Sequence, residues 1–157
     1  VNLGLSNNLV SDLDGGQENP AVVTPATGTA TVSYTAATRQ AVVAMTVDNL
    51  FNTITDSHIH LGVVGVNGPV FVPSGAGVFV PTGTPGQFTA NFTVAIPAAR
   101  EAAFLGGLSY FNIHTTAFPG GEIRGQIVPG ANVPVAAGTA TGTGGVAGFE
   151  NVTGGAG

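Results

Sequence analysis

The chain contains no cysteine and no lysine. Without cysteine it can form no disulfide, no thiolate metal site and no thiol nucleophile. Without lysine its only cations, besides any protonated histidine, are Arg39, Arg100 and Arg124. That argues against nucleic-acid binding, because neutralising a run of phosphates takes clustered Lys and Arg. Docking on anionic lipid fails for the same reason. Charge of either sign is scarce, at 7% of residues, against roughly 25% in a typical soluble domain. Long apolar runs are missing as well. Hydrophobic residues reach 43%, but no run nears the roughly 18 residues that span a bilayer. Gly, Thr and Pro interrupt the Ala and Val throughout, which is the composition of short strands and turns.

At 157 residues one domain with a real core is expected. The net charge of -5 leaves large neutral areas of surface, and such surfaces associate readily. The chain starts at Val1 with no basic segment followed by an apolar one, so it reads as the mature form of an exported protein. Two sequons, Asn91-Phe92-Thr93 and Asn151-Val152-Thr153, are compatible with export.

The period along the chain is mostly two. Thr29–Tyr34 and Gln40–Val47 read as neighbouring strands joined by a link of hairpin length. Ile54–Leu61, Val70–Val72, Gly86–Val94, Leu108–Thr115 and Glu122–Val128 follow, with Gly and Pro in nearly every gap. Pro97–Leu105 has a proline at its start, good helix formers inside and Gly106-Gly107 as its stop. This pattern predicts an all-β, antiparallel Ig-like or Greek-key β-sandwich of about seven to nine strands, with one short helix near 97–105. Residues 12–129 are expected to form the domain. Residues 1–11 read as an N-terminal extension able to act as a donor strand, and 130–157 as a Gly/Ala/Thr-rich C-terminal extension.

All three histidines fall in two of these strands. Alternation puts His58 and His60 on one face with Asp56, and Tyr110, Asn112 and His114 on one face of the later strand. Glu122, Arg124 and Gln126 share a face of the last. If the three strands are neighbours, the histidines, Asn112, Glu122 and Arg124 form one polar patch on the outer face of the sheet. His-x-His on a strand sets two imidazoles about 7 Å apart at Cα, a distance that side chains can close around one ion. His114 would make a three-nitrogen site, suited to copper first and zinc second. The plainer alternative is a set of surface histidines bonded to Glu122, Asn112 or backbone. Asp12, Asp14 and Glu18 could ligate calcium, but turn-forming acids are the better reading. No carboxylate pair or nucleophile elbow points to hydrolysis, so no enzyme is expected.

Three stretches carry a family resemblance. They are Leu13-Asp14-Gly15-Gly16-Gln17-Glu18-Asn19-Pro20 with Gly28-Thr29-Ala30, then His58-Ile59-His60-Leu61-Gly62 running to Val70, then Leu108–Thr115 continuing through Phe118-Pro119-Gly120-Gly121-Glu122-Ile123-Arg124-Gly125-Gln126. In this order, across about 12–128, the chain resembles the CHRD (chordin-type) domain family. The resemblance implies a secreted β-sandwich module. The His-x-His strand is also similar to that of copper,zinc superoxide dismutases, but their second histidine set and disulfide are lacking, so dismutase activity is not carried over. The functional expectation is an exported structural protein that self-associates into an extracellular filament or matrix by strand donation. The alternative is an extracellular copper-binding module using His58, His60 and His114, with copper oxidoreductase activity third.

Overall fold

The computed structural model describes residues 6–130. It contains nine strands: β1 (Ser6–Asp14), β2 (Thr27–Thr35), β3 (Gln40–Asp48), β4 (Ile54–Leu61), β5 (Val70–Pro73), β6 (Phe79–Pro81), β7 (Phe88–Ala95), β8 (Ser109–Thr115) and β9 (Ile123–Pro129). All pairings are antiparallel. The all-β expectation holds. Hydrogen bonding runs through one continuous sheet in the order β5-β4-β8-β9-β1-β2-β3-β7-β6. Its two edges, β5 and β6, are consecutive in the chain and joined through a short 3-10 turn, Ala76–Val78. The sheet therefore curls on itself as a half-barrel. The expected helix is a 3-10 turn at Ala98–Arg100 leading into α1 (Glu101–Leu105).

Alternation builds the core. β2 buries Gly28, Ala30, Val32 and Tyr34, and β3 buries Ala41, Val43, Met45 and Val47, with exposed or half-buried residues between them. Ile59, Phe111, Ile113, Ile123 and Ile127 come to the same core from β4, β8 and β9. Burying an Ile or Phe side chain of this kind contributes about 1.5–3 kcal/mol relative to leaving it exposed. Phe104 of α1 is fully buried and meets Tyr34 edge to face, ring centroids 5.7 Å apart. The Tyr34 hydroxyl donates to Glu101 Oε1 at 2.7 Å, which fixes α1 against β2.

Residues 6–11, read from the sequence as part of an extension, form the first two thirds of β1. That strand lies in the sheet interior between β2 and β9, with Leu9 and Ser11 buried. The remainder of the two extensions, apart from Gly130, lies outside the described residues. β6 is the other strand the sequence did not announce. It is three residues long and ends in Pro81, too short for a period to show.

Candidate metal centre

β8 pairs with β4 on one side and β9 on the other. His60 stands opposite Tyr110, His58 opposite Asn112, and Asp56 opposite His114. His114 therefore reaches His58 along the diagonal of the β4–β8 ladder. Their rings lie with centroids 4.9 Å apart, and those of His58 and His60 5.5 Å apart. One donor nitrogen from each of the three histidines can be chosen so that all lie within 4.8 Å of one another. Among the described residues this is the one group of three or more His, Cys, Asp or Glu with donor atoms so close.

Each ring is oriented from behind. His60 Nδ1 faces the Gly68 carbonyl oxygen at 2.8 Å, and His114 Nδ1 faces that of Pro119 at 2.9 Å. Carbonyl oxygens only accept, so each Nδ1 carries the proton and each Nε2 is left with its lone pair. His60 Nε2 is buried and has no hydrogen-bond partner among the described residues. His58 is turned the other way. Its Nε2 sits 3.1 Å from Asp56 Oδ2 and its Nδ1 3.0 Å from His114 Nε2. Since His114 Nε2 offers a lone pair, the contact between the two rings needs something positive between them. Without an ion, that is a proton between His58 Nδ1 and His114 Nε2. With one, the ion takes the place of the Nδ1 proton.

Three nitrogens are thus left to offer to an ion: His58 Nδ1, His60 Nε2 and His114 Nε2. Each ligand ring has its other nitrogen on a carboxylate or a backbone carbonyl, the support that metal-binding histidines usually have. Ligands about 2.0–2.1 Å from a tetrahedral ion are separated by about 3.3 Å, so small side-chain adjustments would seat one. The set fits copper or zinc on chemistry, since imidazole suits both. Burial is the main cause that holds the His60 and His114 imidazoles below the usual histidine range, with the neighbouring His58 adding to it. Both are thereby kept neutral, the state a metal needs.

The patch differs from its expected form in two ways. It is not an open outer surface. The segment from Gly62 to Pro69 folds over it: Gln126 Nε2 donates to the Gly62 carbonyl at 2.8 Å, Arg124 Nη2 donates to Asn67 Oδ1, and Asn19 Nδ2 donates to the Gly65 carbonyl at 2.8 Å. Tyr110, Asn112 and Arg124 are buried as a result. The Tyr110 ring has His60 stacked on it from the β4 side and the Arg124 guanidinium over it, 4.2 Å from its centroid, from the β9 side. Arg124 also pairs with Glu18 at 3.2 Å, both side chains only 4% exposed. Burial pushes the Glu18 carboxyl up, opposed by Arg124.

The second difference is Glu122, which is not part of the patch. Its carboxylate accepts from Thr24 Oγ1, Asn52 Nδ2 and Thr115 Oγ1 at 2.7–3.0 Å. Those bonds tie together the start of β9, the end of β8 and two links. The calcium alternative also dissolves. Asp14 caps the 3-10 turn Gly15–Gln17 by accepting from the Gln17 amide at 3.0 Å, while Glu18 belongs to Arg124. Asp56 and Tyr110 were on the right faces from alternation alone. The Gly68 and Pro119 carbonyls carry no sequence signal beyond the Gly/Pro composition of their loops.

No helix among the described residues is long and apolar enough to cross a membrane. Comparison with known proteins gives one family: the model of the CHRD domain matches residues 9–127. CHRD domains occur in extracellular proteins and are in general not enzymes. No curated protein and no solved structure matches the chain. The match runs from within β1 to within β9 and includes every residue of the histidine cluster, and on it the chain belongs to the CHRD domain family.

Proposed function

We propose that this CHRD domain is a transition-metal-binding module, with copper the first candidate and zinc the second. The observation that carries the reading is the orientation of the three rings. His58 Nδ1 and His114 Nε2 face each other at 3.0 Å and His60 Nε2 is buried with no partner among the described residues, while the remaining nitrogens are held by Asp56, Gly68 and Pro119. Three histidines with a hydrogen-bonded outer shell make a site of useful affinity in a chain with no cysteine. Elemental analysis of the purified protein after loading with Cu(II) or Zn(II), and removal of excess, tests it. One ion per chain is expected in the native protein and none in the His58→Ala, His60→Ala double variant. Equal metal content in the two would end the proposal.

A second reading, self-association into an extracellular filament or matrix, is favoured by the exposed face of β1, β2, β3 and β7. Val10, Thr31, Ala44 and Asn91 run across it, and Asn8, Ser33, Val42 and Thr93 beside them, with no charge in either row. The edges favour it less, since β5 and β6 are four and three residues long and end in Pro73 and Pro81. Short, proline-bearing edges resist strand addition. Negative-stain microscopy of the full chain and of a truncation at Gly130 tests the strand-donation form. Polymers of the full chain alone are expected, and polymers of both would remove the C-terminal segment as donor.

A further inference from the structure

We infer that Asn91 is an acceptor for N-linked glycosylation, so that the neutral face of β2, β3 and β7 carries a glycan. The sequon Asn91-Phe92-Thr93 lies inside β7. Phe92 turns inward and packs against the core. Strand alternation therefore brings Asn91 and Thr93 out on the same face, and both are exposed. The middle residue is not proline, so both requirements of the acceptor signal are met.

The surroundings leave room for a sugar. Across the ladder on β3, Asn91 faces Ala44, a single methyl group. On its other side β6 stops pairing at Ala90, so among the described residues no strand residue stands beside it there. The flanking residues on its own strand are Thr89 and Thr93. Thr31, Thr46 and Thr89 line a shallow basin of about 350 Å³ at its foot, with no charged side chain among its lining residues. Among the described residues nothing occupies the Asn91 side chain, which has no hydrogen-bond partner there to give up. A surface with few charges associates readily, and a glycan on Asn91 would cover the face on which the self-association reading rests, so the two exclude each other there.

The modification is a group transfer from a polyprenyl-diphosphate-linked oligosaccharide. The Asn91 amide nitrogen forms a bond to C1 of the first sugar and loses one proton. The C1–oxygen bond to the diphosphate breaks, and the polyprenyl diphosphate leaves. Transfer takes place on the emerging chain, and the open face then accommodates the product.

Intact mass of the full chain secreted by its native source, before and after peptide-N-glycosidase, is the test. The native protein should be heavier than its sequence by whole sugar units, and lose them on enzyme treatment. In the same host, Asn91→Gln and Thr93→Ala should abolish the increment, while Thr93→Ser and Asn151→Gln should keep it. An unmodified native mass overturns the inference. So does an increment that survives in Asn91→Gln, which would assign the sugar to another residue. Because Thr93→Ser preserves the hydroxyl, its behaviour separates a missing sequon from a damaged strand.

Discussion

His60 and Tyr110 lie ring upon ring, 4.9 Å apart and 10° from parallel, and Gly68 holds both of them. The Gly68 carbonyl accepts from the His60 Nδ1–H, and the Gly68 amide donates to the Tyr110 hydroxyl at 3.0 Å. A Cβ on Gly68 would run into the Leu61 carbonyl. The Gly68→Ala variant must therefore push the covering segment away from β4 and release both rings. We expect it to lose about 3 kcal/mol of stability and, in the same step, most of its metal affinity. Urea unfolding and a metal titration check this. A variant that keeps full affinity while losing stability would mean that Gly68 does not orient His60.

Asp56 acts on the site from outside. Its carboxylate, half exposed, lies 3.1 Å from His58 Nε2 and turns His58 so that Nδ1 points to the other histidines. Asp56→Asn keeps the shape but removes the charge that steadies the ring. Loss of such a supporting group commonly costs about 10–100-fold in metal affinity. The expected result is weaker Cu(II) or Zn(II) binding in that range by competition with a chelator, at unchanged stoichiometry. Unaltered affinity would show that His58 is positioned by packing alone.

The chain made some of this readable and hid the rest, for physical reasons. Alternation is a local property, so Asp56, His58 and His60 could be set on one face from their spacing alone. β1 obeys the same rule but disguises it, because it turns Val10 outward and buries Ser11. What covers a face is not local. Glu18 and Arg124 meet from opposite ends of the domain, and Asn67 reaches Arg124 from a loop. No pattern within either segment announces those contacts, so a buried layer reads as an exposed one. Glu122 misleads in the same way. Strict alternation groups it with Arg124, but it precedes β9 and its carboxylate is drawn to Thr24, Asn52 and Thr115.

Acid should destabilise the metal-free protein in a defined window. Burial is the main cause that lowers the His60 and His114 values below 6.5 in the folded chain. As pH falls through 6.5 the unfolded chain takes up protons that the folded one does not, so stability declines with falling pH. The decline stops once pH has passed below the two folded values. Each full unit of depression corresponds to about 1.4 kcal/mol. Urea midpoints should be constant above pH 7 and fall as the pH drops below 6.5. The fall should shrink when His60 and His114 are both replaced by Gln. A flat profile across that range would mean that both imidazoles reach solvent.

Glu122 separates structure from ligation. It is 1% exposed and accepts three hydrogen bonds, from Thr24, Asn52 and Thr115. In Glu122→Gln one acceptor oxygen becomes an amide that can only donate, so at least one of the three donors loses its acceptor. Leaving a buried partner unsatisfied costs about 1–3 kcal/mol, and the variant should unfold at correspondingly lower urea. Because these bonds anchor the chain ends around β8 and β9 without touching His58, His60 or His114, the metal stoichiometry at low urea should stay at that of the native protein. A variant of native stability that binds no metal would reverse the assignment and return Glu122 to the site.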